Sequence, residues 1–504
     1  METGGMVPGE LHDPARPHLA RLTARFSFPR LCSAAAVALG LGACLPADQR
    51  PDIGVAVTPG FAAGEKRPAA PVATDWPRLF RSAELTRLVE QAGDGNFDIA
   101  VAVARIRQAD AQSRVASSSL YPSLSGSGDA QRSLRPGTLG ARRPPFNESV
   151  GNSFSLGLSA SYELDFWGRN RATSDAGRLA AQATRFDRDV VALTTVSNVV
   201  TTYFQVLAAQ DRLRIANDNI AAAERILKAI RARLDVGTAT QLDVAQQESV
   251  LAQQKASVPS LELSLRQAKV TLAVLIGETP ATVAVRGGSL NAITVPPIRP
   301  GLPSQLLQRR PDIAEAETRL TAQEATLYAA RAALFPSITL TGQGGLESAL
   351  LKNLLRPDAA FAQAAAGLVQ PILDGGRLRA QVELERGSAD ELLATYRKTI
   401  VQAFADVENA LIAVRENTRH ERLQGETVAA ARRAYAITEQ RLREGTIDIV
   451  TVLNTQQTLF QAQDQLLQVR LQKLTAYVEL FKALGGGWTQ ADRQAAILDA
   501  EAAR

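Results

Sequence analysis

The 504-residue chain is almost without the side chains from which catalytic and metal centres are built: it has two cysteines and three histidines. His12, His18 and Cys32 all precede residue 44, in a stretch where Arg21, Arg25 and Arg30 lead into a short apolar run, Leu31–Gly42. A basic flank, an apolar core shorter than the roughly 20 residues a transmembrane helix needs, and a small-residue end make an export signal. Removal of residues 1–43 leaves one histidine, His420, and one cysteine, Cys44. No disulfide can then form within the mature chain. A His/Cys metal site, a Cys-His dyad or a Ser-His-Asp triad would each have to use His420, which lies among charged residues of a helical pattern. The expectation is a protein that is not an enzyme and has no cofactor and no metal site. A formal charge of +5, spread over both signs, does not imply nucleic acid as a partner.

Proline is missing from two long tracts, between Pro145 and Pro259 and after Pro371, while six prolines from Pro280 to Pro311 crowd one stretch. Proline costs about 3 kcal/mol inside a helix, so the empty tracts are free to be helical. Phe186, Val190, Leu193, Val200, Phe204 and Leu207 form an apolar stripe at helical spacing, and Leu393, Tyr396, Ile400, Phe404, Val407, Leu411 and Val414 form another. The spacing predicts long helices at about 171–235 and 377–443. The first would be about 98 Å long at ~1.5 Å per residue.

What is present is present twice. Leu120-Tyr121-Pro122-Ser123 returns as Leu334-Phe335-Pro336-Ser337, and Asp98-Ile99-Ala100 as Asp312-Ile313-Ala314. Leu164-Asp165-Phe166-Trp167-Gly168-Arg169 is echoed by Leu373-Asp374-Gly375-Gly376-Arg377, and the turn Gly237-Thr238 by Gly445-Thr446. The chain is internally duplicated: a first repeat at 83–302 and a second at 303–484, with an N-terminal segment 44–82 before them and a flexible polar tail, 485–504, after them. Shorter helices are expected at about 83–119, 240–276, 303–334 and 448–484, with a belt at 277–302. Carboxylates on the helices read as solvated faces.

Ahead of each long helix the period changes to two. Phe154, Leu156, Leu158, Ala160, Tyr162 and Leu164 alternate with serines, Gly157 and Glu163, which is a strand with one apolar and one wet face. Strands are expected at about 122–133, 153–164, 336–347 and 361–373, the last alternating poorly and resting on the duplication. Such patterns fit either surface hairpins of a soluble coiled-coil protein or tilted strands crossing a bilayer. In lipid, four strands with open edges must be closed by other copies; two copies give a filled barrel, and three give twelve strands and a lumen. The loops near 134–152 and 346–360 then face the exterior, where Arg135, Arg142 and Arg143 are either solvated or meet lipopolysaccharide phosphates, and the two Gly-Thr turns lie at the far periplasmic tip.

The paired Leu-Tyr/Phe-Pro-Ser motifs, Tyr162–Arg169, Arg309-Arg310-Pro311-Asp312-Ile313, Gln370–Arg377 and the two Gly-Thr turns together resemble the outer-membrane factor (TolC-like) family over about residues 75–485. Leu41-Gly42-Ala43-Cys44 resembles a lipobox, and with Glu163–Arg169 it is most similar to the RND-type efflux lipoprotein (NodT-type) branch. The resemblance implies a mainly α protein: a long α-helical barrel plus four β-strands per protomer completing a 12-stranded transmembrane β-barrel in a homotrimer. It implies a Gram-negative outer membrane location, Cys44 lipidated, and partners in a periplasmic membrane-fusion adaptor and an inner-membrane RND transporter. The implied function is the exit duct of a tripartite pump, passing small molecules such as drugs or metal ions. The alternatives are the outlet of a type I protein secretion system and a lipid-anchored periplasmic structural protein. Asp243, six residues after Gly237, matches a family aspartate that helps hold the periplasmic aperture shut, and it equally fits a helix cap. Ile447, Thr451 and Asn454 replace the family's arginine and two acids in the second repeat, leaving Asp448 as the nearest acidic substitute, with Asp235 and Glu444 as further aperture candidates.

Overall fold

The computed structural model describes residues 54, 60–61, 75–135, 149–295 and 303–502. The leader 1–43, Cys44, Arg142 and Arg143 lie outside the described residues. The first repeat comprises α1 (Ala83–Gly95), α2 (Phe97–Ser117), β1 (Ser123–Arg135), β2 (Ser149–Leu164), α3 (Arg169–Asp235) and α4 (Gln241–Leu275). The second comprises α5 (Pro311–Ala332), β3 (Ser337–Ser348), β4 (Ala360–Val369), α6 (Arg377–Glu444) and α7 (Ile449–Ala483), followed by α8 (Gln490–Ala502). At 67 and 68 residues, α3 and α6 are each about 100 Å long. α2, α3, α5 and α6 pack side by side in that order, α4 lies along α3, and α7 lies along α6 and α3.

Four expectations are corrected. The single helix at 83–119 breaks at Asn96, whose side-chain oxygen leaves the helical path and accepts from the N–H groups of Asp98 (2.8 Å) and Ile99 (3.1 Å). The helix at 303–334 divides into one turn, Pro303–Leu306, and α5, which starts on Pro311, a residue with no N–H to lose in a first turn. The fourth strand stops at Val369 rather than 373, because Pro371 cannot donate to a ladder. The stretch expected as a flexible tail carries α8, docked by Trp488 Nε1 donating to Asp189 (3.0 Å) and by Arg493 paired with Glu317 (2.7 Å).

Three apolar clusters hold the helices. One joins Trp76 and Phe80 to Phe204, Leu272, Leu290 and Phe481, with Trp76 stacked on Phe481 at 5.0 Å and Phe80 edge-on to Phe204 at 5.1 Å. A second joins Ile313, Tyr396, Ile400, Val407 and Leu480. The third, including Ile230, Val244, Leu442, Val452 and Phe460, joins the helix ends near the two Gly-Thr turns. The stripe residues Phe186, Val200, Phe204 and Leu207 are buried, as are Tyr396, Ile400 and Val407.

Not every helix carboxylate is a solvated face. Asp211 is 1% exposed and accepts from Arg214 Nη2 (2.7 Å), Ser289 Oγ (2.9 Å) and Leu290 N–H (2.9 Å). Glu84 accepts from the N–H groups of Arg286 (2.8 Å) and Gly287 (3.2 Å). A buried carboxylate is tolerable only when so supplied with donors, and here all of these but Arg214 come from the belt, which these two residues pin to the helices.

The duplication extends to backbone contacts. Gly277 and Gly485, both at positive φ, stand at equivalent places after α4 and α7; a Cβ on the first would collide with the Gly95 carbonyl oxygen, and on the second with the Arg309 carbonyl oxygen.

Candidate functional site

The strands form one antiparallel sheet in the order β1-β2-β3-β4, so β1 and β4 each keep an unpaired edge. Residues directly opposite in such a ladder share a face. The register aligns Leu156 with Gly128 and Leu346, Leu158 with Gly126 and Gly344, and Tyr162 with Leu340. It then carries Leu340 to Ala366 and Ile338 to Leu368. That face is apolar across all four strands until it reaches the Arg132–Asn152 pair near the loops. The opposite face carries Ser125-Ser159-Gln343-Gln363 and Ser123-Ser161-Thr341-Ala365 as rows, with Asp129-Ser155-Glu347 nearer the loops. Phe361, opposite Gly345, and Val369, opposite Ser337 at the helix end, are large apolar exceptions on this wet face. β4 alternates poorly because its apolar side is four alanines and Leu368, and all ten of its residues are exposed. From Phe154 to Leu164 the strand rises about 25 Å at a tilt of ~40°, the height of the apolar band of a transmembrane barrel.

The duplicated Asp-Gly-Arg motifs are the joints between sheet and long helices. Asp165 accepts from the N–H groups of Asn170 (3.0 Å) and Arg171 (2.9 Å), and Asp374 from those of Gly376 (3.0 Å) and Leu378 (3.0 Å). Gly168 and Gly376, at φ +74° and +86°, make the left-handed turn into each helix. Partial burial acts to raise the Asp165 pKa, but the two N–H bonds and the Arg171 guanidinium outweigh it and hold the group below the usual carboxylate range. At Asp374 the N–H of Leu378 is the largest influence and, with the Gly376 N–H and the Arg377 charge, it outweighs the smaller opposing effect of desolvation and holds the group low. Trp167 secures the first joint: its ring stacks on Phe335 at 4.8 Å and its Nε1 donates to the Pro336 carbonyl (2.7 Å).

At the far ends of α3 and α6, Gly237 (φ +72°) and Gly445 (φ +74°) close both helices alike. Thr238 N–H reaches the Arg233 carbonyl (2.7 Å), and Thr446 N–H the Arg441 carbonyl (3.0 Å). The helices that follow use the same cap with its parts exchanged. In the first repeat Thr240 is the N-cap, and the Asp243 carboxylate accepts from Thr240 N–H (2.7 Å) and Oγ1 (2.8 Å). In the second, Asp448 is the N-cap and accepts from Thr451 N–H (2.9 Å) and Oγ1 (2.8 Å). The acid missing at Thr451 has thus moved three residues back. The Thr451 N–H and hydroxyl hold the Asp448 pKa down. Asp235 and Glu444 are exposed beside the turns, Glu444 accepting from Gln440 (2.9 Å). Arg233, part of the duplicated pattern as the counterpart of Arg441 but not among the aperture candidates, donates to the Leu442 carbonyl (2.9 Å) and ties the two tips together. Its position, four residues before a Gly-Thr turn, is the signal that could have marked it.

This combination of a two-faced sheet, duplicated joints and paired tips has known counterparts. The sequence profile of the family described as outer membrane efflux protein matches residues 88–278 and 302–486, one match to each repeat. The chain belongs to the outer membrane efflux protein family. It is 41% identical over 419 residues to the pyoverdine export outer membrane protein OpmQ of Pseudomonas putida, covering 83% of this chain and 88% of that protein. It is 32% identical over 462 residues to the outer membrane protein OprJ of Pseudomonas aeruginosa, covering 91% and 96%. Its fold matches the CmeC outer membrane channel of Campylobacter jejuni with a TM-score of 0.82 at 25% identity, over 90% of this chain and 97% of that one. The protein is an outer-membrane component of the efflux type, and the two-faced sheet is its membrane-spanning part.

Proposed function

We propose that three copies close a 12-stranded barrel with a water-filled lumen, and that the trimer is the passive exit duct of a tripartite RND-type pump. The observation that carries this is the sheet itself. Its apolar side is continuous from β1 to β4, its other side is polar, and its two edges are open. Unpaired strand edges are not tolerated in lipid, and a heterologous β4-to-β1 contact closes into a ring. The helices α2 to α6 continue each sheet into the periplasm, where the tip meets a membrane-fusion adaptor and the inner-membrane transporter supplies cargo. The duct has no catalytic role. Its cargo belongs to the small molecules that relatives handle, for which pyoverdine export by OpmQ is one model.

Within this reading Cys44 carries the lipid anchor. Asp243 and Asp448, each already engaged in its own helix cap, leave three pairs of negative charges at the aperture, which favours cations there. Native mass measurement of the detergent-solubilised protein tests the assembly: three copies are expected, and a monomer overturns the duct. Mass spectrometry of the mature N-terminus tests the anchor, with an acylated Cys44 expected and an unmodified start elsewhere refuting it.

A further inference from the structure

We infer that the outer face of α3, just beyond the sheet, is a seat for the phosphate of a phospholipid in the periplasmic leaflet, built from Arg114, Arg171 and Arg178. The inference rests on the membrane placement proposed above. Arg169 pairs with Glu163, a wet-face residue of β2, so this side of α3 looks toward the lumen. At about 100° per residue, Arg171, Asp175 and Arg178 fall within about 60° of one another and on the opposite side of the helix. Phe186 and Asp189, which hold Trp488 ahead of α8, lie farther along that same side. The stripe therefore faces away from the lumen.

Two clefts flank it. One, of about 650 Å³, lies against α2 and includes Arg114, Ser117, Tyr121 and Ser174. The other, of about 560 Å³, lies against α5 and includes Phe166, Trp167 and Tyr328. Arg171, Asp175 and Arg178 line both. Tyr121 and Phe166 are 71% and 63% exposed at the lower rim of the apolar band, where aromatic rings sit between acyl chains and headgroups. Side chains of α3 lean toward its N-terminus, which is the membrane end, so Arg171 and Arg178 reach toward the headgroups.

The local acids are largely committed. Asp165 caps α3 and binds Arg171 (3.2 Å), and Asp110 binds Arg185 (2.9 Å). Asp175 stands 3.5 Å from Arg178, too long for a strong bond, and the Arg178 Nε is enclosed without an acceptor. Arg114 is exposed and has no ion pair among the described residues. A guanidinium whose Nε lacks an acceptor and whose one ion pair is long, a second guanidinium with no ion pair among the described residues, and an aromatic rim suit a phosphodiester with acyl chains running up past Phe166. A surface that only repelled water would not need the arginines.

The test uses the full trimer in detergent, titrated with phosphatidylglycerol and followed by native mass spectrometry. Arg114→Gln with Arg178→Gln is expected to weaken lipid retention about tenfold, while Arg188→Gln, on the same helix but outside both clefts, leaves it unchanged. Equal retention by the double variant and the parent overturns the seat. Competition by inorganic phosphate as effective as that by the lipid also overturns it, because the site would then recognise a free anion. A nitroxide placed by Leu156→Cys checks the underlying placement separately. Greater access to molecular oxygen than to a water-soluble nickel complex keeps the sheet in lipid whatever the arginines do, and the reverse removes both readings.

Discussion

Where the helix pairs end, the two halves build one joint from different side chains. In the first repeat Asn96 caps α2 and donates from Nδ2 to the Leu275 carbonyl at the end of α4 (2.8 Å). At the equivalent place in the second, Arg310 precedes α5 and donates to the Ala483 carbonyl at the end of α7 (3.2 Å). Arg310 also binds Asp312 (2.7 Å) and Asp406 (3.1 Å), and those carboxylates, acting against its burial, raise its pKa further. The glycines behind both joints are retained, and the side chains in front of them are not. The backbone crossing is therefore the fixed element. Neutral or charged donors can satisfy the helix-end carbonyl as long as glycine allows the chains to approach.

The largest effect should come from the shared part. Gly277→Ala and Gly485→Ala each force a Cβ into a carbonyl oxygen at positive φ, and each should cost about 2–5 kcal/mol, read as a lower dissociation temperature of the trimer. If only one of them is harmful, the two crossings are not equivalent. The unshared part should separate the halves. Arg310→Ala leaves Asp312 and Asp406 without their cation and should cost about 3 kcal/mol, whereas Asn96→Ala removes a cap and one hydrogen bond for about 1–2 kcal/mol. Equal losses would mean that the charge on Arg310 adds nothing.

The tips sharpen the same comparison on a smaller scale. Because Asp243 and Asp448 exchange places with threonine in otherwise equal caps, Asp243→Ala and Asp448→Ala should each loosen a cap by about 1 kcal/mol. Together they should raise single-channel conductance and reduce cation preference. Unchanged currents in stable trimers would leave these residues as caps and nothing more. The smallest effect is that of pH. Asp165, Asp374 and Asp448 have folded-state pKa values below their ordinary ones, so their contribution is complete above about pH 4 and is lost as pH falls through the folded values. Burial raises the pKa values of Asp189 and Glu315, which act in the opposite direction, so the three groups are read by difference: in strong acid the parent's dissociation temperature should fall more than that of Asp165→Asn with Asp374→Asn and Asp448→Asn, and an equal fall would contradict the sign.

The duplication, the long helices and the two faces of β2 were legible because each is a periodic pattern many residues long. The break at Asn96 was hidden inside an otherwise helical stretch, although Gly95-Asn96 is a helix stop followed by an N-cap. The contacts of Gly277 and Gly485 pair residues far apart in sequence, and glycine leaves no pattern of its own. Asp211 and Glu84 looked like solvated helix carboxylates because most of their donors, including the N–H groups of Leu290, Arg286 and Gly287, come from the distant belt. At the tip, the sequence shows a family acid replaced by Thr451 with Asp448 as its nearest substitute, and only the hydrogen bonds reveal a preserved cap.

In the proposed trimer the serine-rich face of the sheet lines a continuous water-filled lumen and the leucine-rich face meets lipid. Single cysteines introduced by Ser159→Cys and Leu158→Cys, on trimers in a planar bilayer, test it directly with a charged, membrane-impermeant thiol reagent. The reagent should reduce the current through Ser159→Cys channels and leave Leu158→Cys channels unchanged. Block of Leu158→Cys with Ser159→Cys unaffected, or equal block of both, would contradict it.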